Sequence, residues 1–364
     1  MSQRQTGSAG RPIPKWFIMP DADSHERLEP QGVAAMVPTR ELWDWAAYRK
    51  RRQEIASRWR MDGLRYFSLG YFLKNLYGQR VQKVSIDAGL TCPNVDGTVA
   101  YGGCNFCDNR SFSPSRRMPR RDILQQIEAG IRLLKLRYKV DKFIAYFQPA
   151  TNTYADVPDL EWMYDQALMH PQVCGMAIGT RPDCVPEEVL RVLEKLAQRT
   201  LLSVEYGMQT MHNRSLAWMN RGHDHAATVD AIQRSRELPF EVCLHIMLSL
   251  PTESREDMVE TAREVARLGA DAVKIHNLYI VKKTPLAMMW EQGDVRLMER
   301  DEYVETVVDF IECLPPDMIV ERISGDAPSD YFLAPTWSLD KPGILNAIEQ
   351  EFSRRDSWQG KRFT

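Results

Sequence analysis

The sequence predicts an α/β fold: a partial (β/α)6 barrel of the TIM type, with an N-terminal extension and a C-terminal helical tail. From Tyr66 onward, strand-like apolar runs alternate with amphipathic stretches of helical length, which is typical of parallel βα units. Polar residues or glycines follow the strands, as in barrels that carry their active site at the carboxyl ends of the strands. No Gly-x-Gly-x-x-Gly motif follows a strand, so nothing favours a dinucleotide-binding sheet instead.

The individual elements are predicted from apolar periodicity. Strands are expected at Lys83–Ala88, Lys142–Phe147, Gly175–Thr180, Leu201–Gly207, Phe240–Leu250 and Ala272–Ile280. The helices between them are expected at Pro119–Tyr138, Leu160–Met169, Pro186–Gln198, Asp224–Glu237 and Ser254–Leu268. Two further helices are expected after the last strand, at Glu299–Cys313 and Pro342–Phe352.

The ends of the chain differ from this regular middle. Residues 1–60 are expected to form a polar, partly disordered extension, because prolines interrupt a polar composition. Within it, Glu41–Arg60 is a candidate helix whose basic run, Arg49–Arg52, is typical of a solvated face, with RNA binding as the alternative. Residues 61–322 form the predicted barrel, and residues 323–364 are expected to pack on it as a tail.

The composition excludes several classes of protein. The 364 residues are 44% hydrophobic and carry a net charge of −2, so no overall field attracts the chain to nucleic acid or a membrane. The apolar runs are far shorter than the roughly 20 residues that span a bilayer, and no secretory signal is visible. Seven cysteines, three of them clustered, argue against a disulfide framework. We therefore expect a cytoplasmic protein without a membrane partner.

The clustered cysteines lie on one loop, Thr91–Asn109, directly after the first predicted strand. Eleven residues separate Cys92 from Cys104, and two separate Cys104 from Cys107. Thiolates grouped on a loop at a strand end are the ligands of an iron–sulfur cluster or a zinc ion. Three thiolates suit a four-iron cluster that leaves one iron open to an exchangeable ligand.

Zinc remains the alternative at this point. A structural zinc site takes four protein ligands, so it needs a fourth residue. Cys174 and Cys184 are the next cysteines downstream, but single cysteines on strands are more often small buried apolar residues. The remaining cysteines are scattered singly, so a second cluster is not expected.

The loop and its flanks resemble a known superfamily. The pair Cys104-Asn105-Phe106-Cys107 resembles the motif of radical S-adenosylmethionine (SAM) enzymes, although three residues usually separate the first two cysteines there. The spacing of eleven is similar to that of the YhcC-like family, which is related to the radical SAM domain of the Elongator catalytic subunit. The resemblance runs in near-continuous order from about Leu64 to the C-terminus and includes the stretches YFLKNLYGQRVQKVSIDAGLTCPNVDGT, YFQPATNTYA, TRPDC, VEYGMQT, AVKIHNLYIVKKTPLA and SGDAPSDYFLAP.

This resemblance implies a barrel of the radical SAM type, an activity and a set of cofactors. It implies that the three cysteines bind a [4Fe–4S] cluster whose open iron takes SAM. Reductive cleavage of SAM would give a 5′-deoxyadenosyl radical, which abstracts a substrate hydrogen. An electron donor such as flavodoxin or ferredoxin is implied as a partner.

Further site residues follow from the same resemblance. Phe106 is expected near the adenine. Gln148, Thr151 and Asn152 stand where the superfamily often has a Gly-Gly-Glu motif, and are expected at the methionine amino group. Arg181 is expected at the methionine carboxylate, Glu205 at the ribose hydroxyls and Gln209 at substrate or cofactor. A structural hydrogen bond at the barrel rim is the alternative for each.

No catalytic residue can be assigned from the sequence. His245 and His276 lie on predicted strands, where a lone histidine is more often structural than catalytic. The relation to Elongator implies tRNA, in particular a wobble uridine, as substrate. Arg116, Arg117, Arg120 and Arg121 are candidates for phosphate contacts or for a solvated helix start. A small-molecule or peptide substrate, and a zinc-stabilised RNA-binding module without catalysis, are the alternatives.

Overall fold

Seven parallel strands form one curled sheet, which confirms the predicted partial barrel. The computed structural model describes residues 42–113, 122–325 and 327–364. The order of the seven strands in the sheet is the same as their order in the sequence. The strands are β1 (Val81–Ile86), β2 (Lys142–Phe147), β3 (Val173–Thr180), β4 (Leu201–Gln209), β5 (Glu241–Leu248), β6 (Ala272–Asn277) and, beside β6, β8 (Ile319–Arg322). The seventh strand, β8, was not predicted, because its four residues are too few to show a periodicity.

Two short strands form a separate antiparallel pair, β7 (Ile280–Val281) with β9 (Phe332–Ala334). The first forty-one residues and the four arginines from Arg116 to Arg121 lie outside the described ranges. The expectations about them therefore stay predictions.

Helices pack around the sheet. They are α1 (Trp45–Ala56), α2 (Leu69–Tyr77), α3 (Asn109–Phe112), α4 (Ile123–Tyr138), α5 (Val157–Leu168), α6 (Glu187–Ala197), α7 (Asn213–Trp218), α8 (His225–Ser235), α9 (Arg255–Leu268), α10 (Pro285–Glu291), α11 (Arg300–Glu312) and α12 (Lys341–Arg354). Aspartate or serine side chains cap several of them, as in α9, where Ser254 and Asp257 form a capping box. Within the described ranges, no helix is long and apolar enough to cross a membrane.

Helix α1 packs on the sheet through both apolar and charged residues. Tyr48 and Ile55 are buried in one cluster with residues from the start of the strands. Arg52, in the middle of the helix, donates to the carbonyl oxygen of Asp271 at 2.9 Å and lies 3.5 Å from the Glu241 carboxylate. This arginine therefore fixes the helix to the strands and is not part of a solvated face.

The last helix is buried on one side in the main core of the barrel. Ile344, Ile348 and Phe352 of α12 are fully buried. Beyond the helix, the buried side chain of Gln359 accepts from the backbone N–H of Phe67 at 2.8 Å and donates to the carbonyl of Met318 at 2.8 Å. The chain end thus connects the segment before β1 to the turn before β8.

Candidate active site

An open cavity lies at the carboxyl ends of the strands, and about 1270 Å³ of space lies within it, part of which is open to solvent. Two sets of residues line it. From the first half of the sheet come Cys92, Cys104, Phe106, Cys107, Gln148, Thr151, Arg181, Glu205 and Gln209. From the second half come His245, Met247, Lys274, His276, Asn277, Tyr279 and Arg322.

The cysteine loop is held by residues that follow β4. Asn105 donates its backbone N–H (2.9 Å) and its side chain (2.5 Å) to carbonyls of the segment 218–219. Asn220 donates to the carbonyl of Gly103 at 2.8 Å, and the buried Asn94 donates to the carbonyl of Asn220 at 2.6 Å. Four hydrogen bonds thus fix the loop against a distant part of the chain.

Gly222 permits this close approach. Its φ is +74°, a conformation that side chains rarely adopt, and a Cβ there would lie 2.2 Å from Oδ1 of Asn94. Any larger residue would therefore displace the asparagine that holds the loop.

The sulfur of Cys104 has two donors within 3.5 Å, namely Nδ2 of Asn94 and Nη1 of Arg221. Burial raises the pKa of the Cys107 thiol, and the nearby Cys104 and Cys92 raise it further. The three thiols are therefore close enough to oppose each other's ionisation. A bound cationic centre would relieve that repulsion and convert them to thiolates.

The donor set in the cavity consists of three thiols, those of Cys92, Cys104 and Cys107. Three thiolates suit a four-iron cluster that leaves one iron open to an exchangeable ligand. The donor set therefore fits a [4Fe–4S] cluster.

Three residues predicted at SAM, Phe106, Gln148 and Thr151, line the same cavity as the cysteines. Asn152 does not line it. Its Nδ2 donates to the carbonyl of Gly179 at 2.9 Å, and its own carbonyl accepts from the hydroxyl of Tyr164 at 2.6 Å. Asn152 thus joins the ends of β2 and β3. It makes the kind of structural hydrogen bond that was expected as the alternative to a contact with SAM.

Arg181 lines the cavity, but its guanidinium is already engaged. Nε and Nη2 donate to the two carboxylate oxygens of Asp183 at 2.9 and 2.7 Å, and Nη1 donates to the carbonyl of Arg221 at 2.7 Å. The side chain is only 2% exposed. Asp183 therefore occupies the planar fork that was expected to hold the methionine carboxylate.

Glu205 lies at the centre of a buried ionic network. One oxygen accepts from Nζ of Lys83 at 2.7 Å; the other accepts from Nζ of Lys274 at 2.7 Å and from Nε2 of His245 at 2.6 Å. Burial alone would raise the pKa of Glu205, but Lys274, Lys83 and His245 outweigh it and hold the pKa well below its usual range. Both oxygens that were expected at the ribose thus already accept hydrogen bonds.

The network extends across the barrel. Lys83 also donates to Glu321 at 2.6 Å, and Lys274 also donates to the hydroxyl of Tyr146 at 2.8 Å. Two lysines and two glutamates therefore balance each other in charge. Neither lysine was predicted as a site residue. A lysine within an otherwise apolar strand could have indicated a buried, paired charge.

The two strand histidines lie together in the cavity wall, with ring centroids 5.4 Å apart. Burial lowers the pKa of His276 well below its usual value, and the neighbouring Arg322, His245 and Lys274 lower it further. Burial, followed by Lys274, also lowers the pKa of His245. Burial therefore favours the uncharged form of both rings.

Gln209 and Arg221 lie over Gly207 of β4. Gln209 has a φ of +69°, which turns the chain at the end of the strand. A Cβ on Gly207 would lie 2.4 Å from Nη2 of Arg221 and 2.8 Å from Nε2 of Gln209. A side chain at this position would therefore displace the ends of both residues from their present positions. Arg221 was not predicted as a site residue, because no local sequence pattern connects it with Cys104.

Two family models match the chain over most of its length. Residues 100–265 match the radical SAM superfamily, and residues 270–354 match the radical SAM C-terminal domain. The archaeal Elp3 of Methanocaldococcus infernus has a similar structure, with a TM-score of 0.58 and 19% identity over 77% of this chain and 64% of that one. The half-barrel and its cysteine-lined cavity are those of a radical SAM enzyme.

Curated relatives define the family within this superfamily. YtqA of Bacillus subtilis is 41% identical over 82% of this chain and 93% of its own length. YhcC of Escherichia coli is 38% identical over 73% of this chain and 85% of its own length. The tRNA uridine(34) acetyltransferase of Methanocaldococcus jannaschii is 28% identical over 43% of this chain and 29% of its own. The chain belongs to the YhcC-like radical SAM family, which is related to the Elongator catalytic subunit.

Proposed function

We propose that Cys92, Cys104 and Cys107 hold a [4Fe–4S] cluster and that the cavity above the strand ends binds SAM. When bound, the reduced cluster supplies the electron that cleaves SAM to a 5′-deoxyadenosyl radical, and the radical removes a hydrogen atom from the substrate. The placement of the three cysteines in one cavity carries this proposal, because three thiolates suit a four-iron cluster with one open iron.

The chain's own residues have distinct roles in this proposal. The loop's hydrogen bonds to the segment 218–220 hold the thiols in position. Arg221 compensates thiolate charge beside Cys104. Phe106 offers an apolar face for the adenine, and Gln148 and Thr151 offer polar atoms to the methionine end. Arg181 serves through its contacts with Asp183 and the carbonyl of Arg221, by keeping β3 and the loop after β4 together.

Anaerobic purification and metal analysis test the cluster. We expect about four irons and four acid-labile sulfides per chain, and 5′-deoxyadenosine when dithionite and SAM are added. Replacing all three cysteines with alanine should abolish both. Cys174→Ala, which removes a cysteine outside the cavity, is the matched control and should leave both unchanged. One zinc per chain without acid-labile sulfide would instead support the non-catalytic, zinc-stabilised alternative.

We further propose tRNA as the substrate, with flavodoxin or ferredoxin as electron donor in the cytoplasm. Similarity to a protein named tRNA uridine(34) acetyltransferase supports this choice. Modified nucleosides of tRNA from cells with and without the gene are compared by mass spectrometry. A wobble-uridine derivative should disappear from the deletion strain and return with the wild-type gene, but not with the triple-cysteine variant. Identical nucleoside profiles would favour a small-molecule or peptide substrate.

A further inference from the structure

Among the described residues that line the cavity, cationic side chains outnumber carboxylates. Four of these residues are cationic: Arg181, Arg221, Lys274 and Arg322. Two of them have carboxylate partners, since Arg181 pairs with Asp183 at 2.7 Å and Lys274 with Glu205 at 2.7 Å. Glu205 is the one carboxylate among the lining residues that the structure describes.

The two remaining arginines differ in their surroundings. Arg221 lies against the sulfur of Cys104, so its charge is matched once the cysteines are thiolates. Arg322 ends β8, in the half of the cavity away from the cysteine loop along the sheet order. Among the described residues, its side chain has neither an ion pair nor a hydrogen-bond partner. Its charge is therefore still available to a ligand.

A second donor without a partner lies in the same half of the cavity. Asn277, at the end of β6, is fully buried, and its Oδ1 accepts from the backbone N–H of Gly325 at 2.8 Å. That bond fixes the orientation of the amide, and Nδ2 has no hydrogen-bond partner within the described part of the chain. A buried N–H without an acceptor is unfavourable, so an acceptor from a ligand is expected there.

His276 lies beside both residues. It lines the same cavity as Arg322 and Asn277, and Arg322 is close enough to lower its pKa. A neutral imidazole can donate one hydrogen bond without adding charge. The wall therefore offers a guanidinium fork, an amide N–H and a neutral ring, which together are the donors that bind the oxygens of an anion.

We infer that the half of the cavity built by β6 and β8 binds an oxyanion of the substrate, a phosphate or a carboxylate, through Arg322 and Asn277. This inference rests on the proposed function, because it assigns one half of a shared cavity to the substrate and the other to cluster and SAM. It narrows the substrate to molecules that carry such a group within reach of the abstracted hydrogen. An uncharged substrate would leave Arg322 and the Asn277 amide unpaired.

Calorimetric titration of the cluster-loaded full chain, with SAM present, tests this inference. The probes are inorganic phosphate, succinate and, as a neutral molecule, uridine. We expect one of the two anions to bind and uridine to bind at least about tenfold more weakly. The anion that binds identifies the group as phosphate or carboxylate.

Substitutions of Arg322 test whether this residue binds the anion. Arg322→Gln should weaken the anion about tenfold or more, whereas Arg322→Lys, which keeps the charge but loses the fork, should retain part of the affinity. Arg296→Gln removes a cation whose side chain is 83% exposed and should change nothing. Equal affinity of wild type and Arg322→Gln would overturn the inference. So would a loss of SAM affinity alone, because Arg322 would then bind the carboxylate of SAM itself.

Iron content and 5′-deoxyadenosine are measured in the same preparations. A chain that binds no iron contradicts the proposed function. A different outcome is a protein that carries the cluster and cleaves SAM but shows no anion binding that depends on Arg322. That result contradicts this inference and leaves the proposed function in place.

Discussion

Nη1 of Arg221 lies 3.5 Å from the sulfur of Cys104, and Nη2 of the same side chain donates to the carbonyl of Gly207 at 3.0 Å. The second bond fixes the guanidinium on β4, so the position of the charge is set by the barrel and not by the cysteine loop. A fixed cation beside a cluster ligand favours the more negative, reduced state of the cluster. This contact connects the fourth strand to the redox chemistry proposed for the first loop.

We predict that Arg221→Gln lowers the reduction potential of the cluster by on the order of 50 mV, because the compensating charge is lost. A redox titration followed by electron paramagnetic resonance measures the shift. Arg221→Lys keeps the charge and should show a smaller shift. Equal potentials in the wild type and Arg221→Gln would mean that the guanidinium has only a structural role.

Glu205→Gln is predicted to destabilise the fold by about 3–5 kcal/mol, since it leaves two buried lysines with one glutamate between them. The double variant Glu205→Gln/Lys274→Met should lose less than the sum of the two single changes, because Lys83 keeps Glu321 at 2.6 Å. Chemical denaturation of the four proteins gives the coupling free energy. A coupling near zero would contradict the network.

Gly222→Ala is predicted to reduce the iron content by more than half, because its Cβ would displace Asn94 from the cysteine loop. Gly63→Ala is the matched control. Gly63 has a similar φ of +84°, and nothing lies within 4 Å of a Cβ placed there. Both variants meet the same backbone penalty of about 1 kcal/mol, so only the clash differs. Similar iron contents in the two variants would show that this anchoring of the loop is not needed for cluster binding.

A pH dependence is predicted at the base of the barrel. Burial, followed by the nearby Asp271, raises the pKa of Glu241 to about 8, although Arg52 acts in the opposite direction. An acid whose pKa is higher in the folded state binds more protons there, so the free energy of unfolding falls as the pH rises from about 4.3 to about 8. We expect a decrease on the order of 3–4 kcal/mol between about pH 5 and about pH 8.

Glu241→Gln should flatten that decrease, since the amide does not ionise and can still bond to Tyr48. Glu187→Gln, at a side chain that is 64% exposed, is the control and should leave the slope unchanged. Denaturation with urea at several pH values between about 5 and about 9 gives the free energies. A slope in Glu241→Gln equal to that of the wild type would assign the pH dependence to other groups.

The sequence predicts most of the barrel, because six of its strands are long enough to show apolar runs and the helices between them have a regular period. Strand β8 cannot be predicted in this way, since four residues between a turn and a loop show no period. The cysteine loop is predictable for a different reason: its three ligand-type side chains lie within sixteen positions of one another.

The remaining site residues depend on contacts that the sequence does not reveal. Arg181 and Asp183 are two positions apart, yet no sequence pattern states that they bind each other and not a ligand. Asn152 is next to Thr151, and only the direction of the turn after β2 decides which of them reaches the cavity. Arg221, Lys274 and Arg322 come from three separate βα units, so only the closed sheet brings them together.

The anchoring of the cysteine loop has a consequence for how the protein is made. Asn105 and Trp218, which its side chain contacts, are 113 positions apart in the chain. At a synthesis rate of about 5–20 residues per second, the cysteines leave the ribosome roughly 6–23 s before their anchor exists. During that interval the thiols are on an unanchored loop and are exposed to oxidation and to free metal ions. We therefore expect the cluster to be inserted only after the segment 218–220 has been synthesised and has bound the loop.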